Sequence, residues 1–360
     1  MDVPLEVIPL NDERWDETVS RFPAGIFYTT RFCKFRACSA GISPVMLRYV
    51  DDRGLVFDVT TIKEISSLPF FCMVSQHFSS PPIDIASAEY NGPVVAGITG
   101  EEHGLLSAYR AAVDGYCAEH NVVTEFVRIH PMSSIAAVLA KIVPLIPASD
   151  MVYVDLRSGY DAARSNYSNK RRQEMNRAAR CGARIEIVRP DPEAVLRCSR
   201  LYNDTMRRKA AKSIRVFDAD YFVTLFDWLS EETLLVEAFM KDALASSTVF
   251  LLDHKNIWAL YTGTVYELRD SDANLYMTDR MIAWAAERGY EYFLLGGGLE
   301  PDDGMYTYKT RFSKLMSPVR HLRKVHQPEL LQILLQAKSE YDRNQGRSTR
   351  LDYFPSYWLD

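Results

Sequence analysis

At 360 residues, with 47% hydrophobic and 25% charged side chains, the chain has the composition of an ordinary globular protein and the length for two hydrophobic cores, which sets aside disordered, collagen-like and coiled-coil classes. The formal net charge of −5 conceals an asymmetry: residues 164–215 hold 15 Lys and Arg against 5 Asp and Glu, and residues 305–326 hold 6 against none. Such segments in an otherwise acidic chain can draw an anionic ligand to one face, although solvated helix faces give the same pattern.

The N-terminus has neither a basic region nor an apolar stretch of the secretory kind. The most apolar later run, Ile135 to Ala148, is interrupted by Lys141, Pro144 and Pro147 and is shorter than the roughly 20 residues of a spanning helix. A cytoplasmic protein without integral membrane association is expected. Alternation predicts strands at Val45–Val50 and Leu55–Thr60, joined by the turn Asp51-Asp52-Arg53-Gly54. A helix from Leu105 to His120 should lead into a strand from Val122 to Ile129. In the middle of the chain Ser168 is placed to cap a basic helix that runs to Arg180 and ends at Cys181-Gly182. A second helix is predicted from Pro192 to Lys209, with Leu196, Tyr202 and Met206 on its buried side. Strands follow at Leu234–Met240, Ala243–Leu252 and Ile257–Thr264, then a helix from Leu275 to Arg288 and a strand from Tyr290 to Leu295. Ala118-Glu119-His120-Asn121 and Ala286-Glu287-Arg288-Gly289 occupy matching places 168 residues apart, which suggests a duplicated α/β unit. An amphipathic helix from Pro328 to Tyr341 should dock through Leu330, Leu331, Leu334 and Ala337, and the aromatic tail Tyr353 to Trp358 should pack on the body. The expected division is 1–150, 151–325 and a C-terminal segment 326–360.

Several chemistries lose their best support. There is no phosphate-binding G-x-x-x-x-G-K-[ST] loop, no G-x-G-x-x-G, no H-E-x-x-H and no G-x-S-x-G. The six cysteines form no C-x-x-C pair, so reduced thiols are expected and no metal site is. What remains is the stretch from Leu294 to Phe312. Gly296, Gly297 and Gly298 let the backbone turn and approach a ligand closely, and Glu300-Pro301-Asp302-Asp303-Gly304 makes a polar loop. Tyr306, Tyr308, Lys309, Arg311 and Phe312 then arrive together. A lysine flanked by aromatics can stabilise the oxyanion formed when an amine attacks an acyl carbonyl. The same alternation of aromatic and basic residues also describes a half-exposed strand.

The block Leu294-Leu295-Gly296-Gly297-Gly298 followed by Tyr308-Lys309-Thr310-Arg311-Phe312 resembles the glycine turn and F-K-x-x-F element of the FemABX-like transferases, tandem acyltransferase-fold proteins of the GNAT type. Trp15 with Phe22 to Tyr28 is similar to that family's opening element. Glu89-Tyr90-Asn91-Gly92-Pro93 resembles its Y-G-G-P turn, and Glu125 to Pro131 its R-x-x-P strand end. Lys170-Arg171-Arg172 through Arg177 to Gly182 resembles its basic helix, and Thr205 with Arg208 its T-x-x-R element. Three departures stand out: Tyr308 takes the place of a phenylalanine, Asn91 that of a glycine, and no long charged helical hairpin is inserted.

The resemblance implies an α/β (α+β) fold of tandem GNAT-like domains with mixed sheets flanked by helices. It also implies transfer of an amino acid from aminoacyl-tRNA to an amine of a peptide or peptidoglycan-precursor acceptor, in cell-wall or peptide-antibiotic biosynthesis. Lys309 and Tyr308 would be catalytic. Arg208, Tyr306, Gly296 to Gly298, Arg311, Phe312, Tyr90 and Asn91 would contact substrate, and Lys170, Arg171, Arg172 and Arg177 would contact tRNA phosphates or another anion. On this resemblance aminoacyl-tRNA would serve as co-substrate, no resident cofactor is called for, and a monomer is expected. No general base stands out; Asp302 and Asp303 are the candidates. Two alternatives remain open: an acyl-CoA N-acyltransferase, although the pyrophosphate loop [QR]-x-x-G-x-[GA] is missing, and a non-catalytic nucleic-acid or peptide-binding module on the same fold.

Overall fold

The computed structural model describes residues 5–22, 24–209, 216–297, 304–349 and 353–359. In chain order its principal elements are β1 (Glu6–Pro9), α1 (Glu13–Ser20), α2 (Thr30–Ala40), β2 (Ser43–Asp51), β3 (Gly54–Glu64), β4 (Ile83–Ser87), β5 (Val94–Gly97), α3 (Glu102–Glu119), β6 (Val122–Ile129), α4 (Ala136–Leu139), β7 (Leu145–Asp155), α5 (Gly159–Ser165), α6 (Asn169–Arg180), β8 (Ala183–Val188), α7 (Pro192–Arg208), α8 (Ala219–Trp228), β9 (Thr233–Met240), β10 (Ala243–Asp253), β11 (Asn256–Thr264), α9 (Ala273–Glu287), β12 (Tyr292–Gly296), α10 (Gly304–Thr310), β13 (Met316–Val325) and α11 (Pro328–Asn344). They form two compact units, residues 1–148 with 319–360, and residues 149–318. The second unit therefore ends at Pro318 rather than at 325. The reason is that Arg320 to Val325 of β13 pair antiparallel with Thr124 to Ile129 of β6, which carries the C-terminal segment into the first unit.

The first unit has the strand order β1-β2-β3-β4-β6-β13, with β5 on β3. Among its named strands β4 and β6 run parallel, and α3 lies between them in the chain. Leu105, Leu106, Tyr109, Val113 and Cys117 recur at helical spacing on α3 and are buried against Leu47, Val56 and Val122. The C-terminal helix docks as its sequence predicts, with Leu334 and Ala337 buried, and Tyr357 of the aromatic tail packs beside Phe70. Asp84 holds that tail: it accepts hydrogen bonds from Tyr357 Oη at 2.6 Å, Trp358 Nε1 at 2.7 Å, and both the backbone N and Oγ1 of Thr124.

The second unit repeats the plan, with the order β8-β9-β10-β11-β12-β7. Here β11 and β12 are the parallel pair, connected by α9, and every other pairing is antiparallel. The helices α3 and α9 end at Glu119 and Glu287, the positions the 168-residue offset brings into register. Met277, Met281, Ile282 and Ala285 of α9 are buried against Val236, Ala238, Phe250 and Phe293. On α7 the buried residues are Ala194, Val195, Cys198, Ser199, Tyr202, Asn203 and Thr205, whereas Leu196 is 37% exposed, a correction to the face expected from sequence. Gly263 of β11 lies against α7. A Cβ there would lie 2.4 Å from the backbone of Leu201 and Tyr202, so glycine lets α7 lie flush on β11. Among the described residues there is no charged helical hairpin, and no helix is long and apolar enough to cross a membrane.

Candidate active site

The site of the second unit starts from the way β11 and β12 part. They pair only at Asn256–Trp258 against Tyr292–Leu294, after which β11 continues to Thr264 without that partner. Two irregularities accompany the parting. Val249 and Phe250 of β10 face Tyr261 and Ala259, leaving Leu260 unmatched, and Leu294 and Gly296 face Tyr153 and Val152, leaving Leu295 unmatched. Bulges of this kind redirect side chains, and Leu260 and Leu295 both line a cavity of about 630 Å³ in the resulting wedge. Tyr202, Met206, Phe250, Ala259, Tyr308 and Lys309 complete much of its wall.

Lys309 lies on the short helix α10, not on the half-exposed strand its alternation also fitted. The helical turn brings Tyr308 and Phe312 together at 5.6 Å, edge to face. The Lys309 ammonium donates to the Gly297 carbonyl at 2.6 Å, at the C-terminal end of β12. Gly296 makes room for it: its φ is +88°, and an added Cβ would lie 3.0 Å from Lys309 Nζ. The Tyr308 hydroxyl lies 3.1 Å from Thr278 Oγ1 and accepts from Asn274 Nδ2 at 3.3 Å. Burial raises the Tyr308 pKa above its ordinary value, so the hydroxyl stays protonated at neutral pH.

Beside the wedge is a cleft of about 740 Å³, sharing Thr205, Lys209, Thr264, Asn274 and Tyr308 with it. Its charged lining is predominantly cationic: Arg171, Arg208, Lys209, Arg269 and Arg311 against Glu174 and Asp272. Arg208 is held in place by Thr264 O at 2.6 Å and Thr205 Oγ1 at 2.9 Å, and Thr205 Oγ1 also accepts from Thr264 N at 3.0 Å. The T-x-x-R element thus clamps α7 to the free end of β11.

The residues singled out in the sequence meet different fates. Lys309, Tyr308, Arg208 and Arg311 converge on these two cavities, and Gly296 and Gly297 support Lys309. Phe312 is fully buried in the core and cannot touch a substrate. Tyr306 lines neither cavity; its hydroxyl donates to Met316 Sδ at 2.8 Å. Arg171 is 1% exposed and acts as a strut, although it also lines the cleft. It donates to Tyr308 O at 2.8 Å and Glu174 at 2.9 Å and lies over the Phe312 and Tyr308 rings. Arg172 is turned onto Ser165 O and Asn169, and Arg177 onto Asp272, while Lys170 is exposed. Tyr90 and Asn91 belong to the first unit. Asn91 is fully buried, its side chain bonding Glu89 N and Phe27 O, which makes it a turn residue there. Gly298, Glu300, Pro301, Asp302 and Asp303 lie outside the described residues. Arg269, Asn274, Thr278 and Leu260 were missed, because each reaches the site only through the fold.

One group with metal-ligating atoms occurs among the described residues. Cys117, Glu125 and His326 of the first unit place these atoms within 4.8 Å of one another. Burial opposes ionisation of Glu125, but the Arg110 guanidinium, at 2.6 and 2.7 Å, and His326 outweigh it and hold its pKa down to about 2. Burial pushes the Cys117 thiol up, so it stays protonated. This is an ion-pair network whose carboxylate is already engaged.

Residues 165–310 match the family model of the acetyltransferase (GNAT) domain. No curated protein matches the chain in sequence. Among solved structures, FemX superposes with a TM-score of 0.70 at 12% identity, covering 91% of this chain and 99% of that one. L-PGS from Bacillus licheniformis gives 0.53 at 11% identity, covering 92% and 97%. A conserved protein of unknown function from Bacteroides thetaiotaomicron VPI-5482 gives 0.52 at 13% identity, covering 90% and 99%. The chain therefore has a FemABX-like GNAT fold, an acyltransferase architecture.

Proposed function

We propose that the protein is an aminoacyltransferase that moves an amino acid from aminoacyl-tRNA to an amine of a peptide or peptidoglycan-precursor-like acceptor. The observation that carries the reading is the Lys309 ammonium, fixed on the Gly297 carbonyl in the wall of the wedge, with a cation-lined cleft adjoining. An ester carbonyl bound in the wedge beside this ammonium is attacked by the acceptor amine. Lys309 offsets the negative charge that develops on the carbonyl oxygen, and the neutral Tyr308 hydroxyl, held between Thr278 and Asn274, is a second donor on the same wall. Collapse of the tetrahedral adduct forms the amide and releases the ribose hydroxyl; the amine gives up one proton and the leaving oxygen gains one. The cationic cleft suits the phosphates of the RNA end or an anionic acceptor.

A second reading, N-acylation from an acyl-CoA, is favoured by the family-model match over residues 165–310. The two are separated by offering the full chain a pool of radiolabelled aminoacyl-tRNAs or, in parallel, labelled acetyl-CoA, each with short peptides bearing free amines. Label is expected to move from the tRNA pool, and ribonuclease pretreatment should abolish the transfer. Transfer that survives the nuclease, or label moving from acetyl-CoA alone, overturns the tRNA reading.

A further inference from the structure

The wedge and the cleft beside it differ in chemistry. The wedge is walled by Tyr202 and Met206 from α7, Phe250 from β10, Ala259 and Leu260 from β11, and Leu295 from β12. Several of its side-chain hydroxyls already have protein partners. Thr248 Oγ1 donates to Thr262 Oγ1 at 3.1 Å, Thr278 bonds Asn274 O and the Tyr308 hydroxyl, and Thr205 donates to Leu201 O. Among the described residues no carboxylate lines it; the charged groups on its wall are Lys209 and Lys309, both cationic.

From this lining and volume we infer that the acyl group transferred carries a bulky apolar or aromatic side chain, seated in the wedge between β11 and β12, with Ala259 setting how large it can be. The inference rests on the acyl-transfer reading above and adds the class of acyl group. A cationic side chain in the wedge would be desolvated beside the ammonium groups of Lys209 and Lys309, with no carboxylate among the described residues of its wall. A methyl group would leave most of the cavity without contact atoms, forfeiting dispersion and burial that a phenyl or isobutyl group would gain. Ala259 stands opposite Phe250 in the β10–β11 pairing, so the space in front of it exists because its side chain stops at Cβ.

The test uses the full chain and two series of stable analogues: 3′-amino-3′-deoxyadenosine carrying phenylalanyl, alanyl or lysyl groups in amide linkage, and the corresponding N-acetyl amino-acid amides. Binding is measured by calorimetry. The phenylalanyl analogue should bind at least about tenfold more tightly than the alanyl one, the scale of discrimination apolar pockets reach, with the lysyl analogue no better than the alanyl. Ala259→Leu should lower the phenylalanyl-to-alanyl ratio at least about fivefold, and Ala259→Val should lower it less, which preserves the comparison if the leucine variant does not fold. Equal affinities across the series, or lysyl bound first, overturns the inference, as does a ratio unmoved in a folded variant. If the adenosine series does not bind while the capped amides keep the ranking, the wedge inference stands and the RNA-donor reading falls. If neither series discriminates, the inference falls whatever the donor.

Discussion

Replacing Arg171 by methionine separates a buried strut from a phosphate ligand. The guanidinium donates to the Tyr308 carbonyl at 2.8 Å and to Glu174 at 2.9 Å, and lies 4.4 Å and 5.0 Å from the ring centres of Phe312 and Tyr308. A hydrogen bond from a charged donor is worth about 1.5–3 kcal/mol, and each cation–π contact about 0.5–2 kcal/mol. Methionine retains much of the stem's packing on the rings, so the net loss should be about 3 kcal/mol. Glu174 keeps a weaker partner in Arg311 at 3.5 Å. Urea unfolding of the full chain reads the stability, and filter binding of tRNA across a salt series reads the phosphate contacts. The variant should be destabilised by that amount with its salt slope unchanged. Undiminished stability together with a slope reduced by about one would refute the reasoning and restore Arg171 as a phosphate ligand.

Gly263→Ala drives a Cβ into the backbone of Leu201 and Tyr202 at 2.4 Å; a loss of about 3 kcal/mol is expected by chemical denaturation, from overpacking against atoms that cannot rotate away. Tyr357→Phe removes one of four donors to the buried Asp84, and should lower stability by about 2 kcal/mol in the same measurement. Asp58 is buried, and desolvation raises its pKa to about 7 against the opposing hydrogen bonds from Val59 N and Gly92 N. Because the folded pKa is above the unfolded one, the folded state holds its proton longer. Stability is therefore highest below the unfolded pKa, near 4, and is lost as pH rises through about 7. Asp58→Asn should remove that loss, on the order of 4 kcal/mol for a three-unit shift, so unfolding midpoints of variant and parent should diverge from pH 5 upward; parallel curves would count against the assignment.

Much of this fold is legible in the sequence where local chemistry and tertiary demand agree. The strands of residues 43–64 and 233–264 are joined by short turns, and Ser168 and Gly182 mark the two ends of α6, the serine accepting from Arg171 N and the glycine taking φ of +88°. The misreadings have different causes. Arg171 looks like a surface cation until Tyr308 and Phe312 close over it from 137 and more residues away. Leu196 looks like core by residue type, but the buried side of α7 is formed by Ala194, Val195, Cys198, Ser199, Tyr202, Asn203 and Thr205, and Leu196 falls outside it. The period-two alternation of Tyr306, Tyr308 and the basic residues mimics a strand, yet Gly304–Thr310 is one short helix whose two-turn span cannot be told from a strand by periodicity. In the site, Lys309 and Tyr308 stood out by residue type, and Arg208 through the resemblance to the T-x-x-R element. The bulged Leu260 and Leu295 and the partners Thr278 and Asn274 depend on how β11 leaves β12, which no local pattern encodes.

The central claim is that Lys309 stabilises charge developing on the acyl carbonyl oxygen. Single-turnover transfer by Lys309→Met, with donor and acceptor saturating and folding checked by circular dichroism, tests it most directly. Removing one such preorganised donor costs about 10²–10³ in rate, and the variant should lose that much while donor affinity changes far less. A folded Lys309→Met protein that transfers at the parental rate would contradict the account.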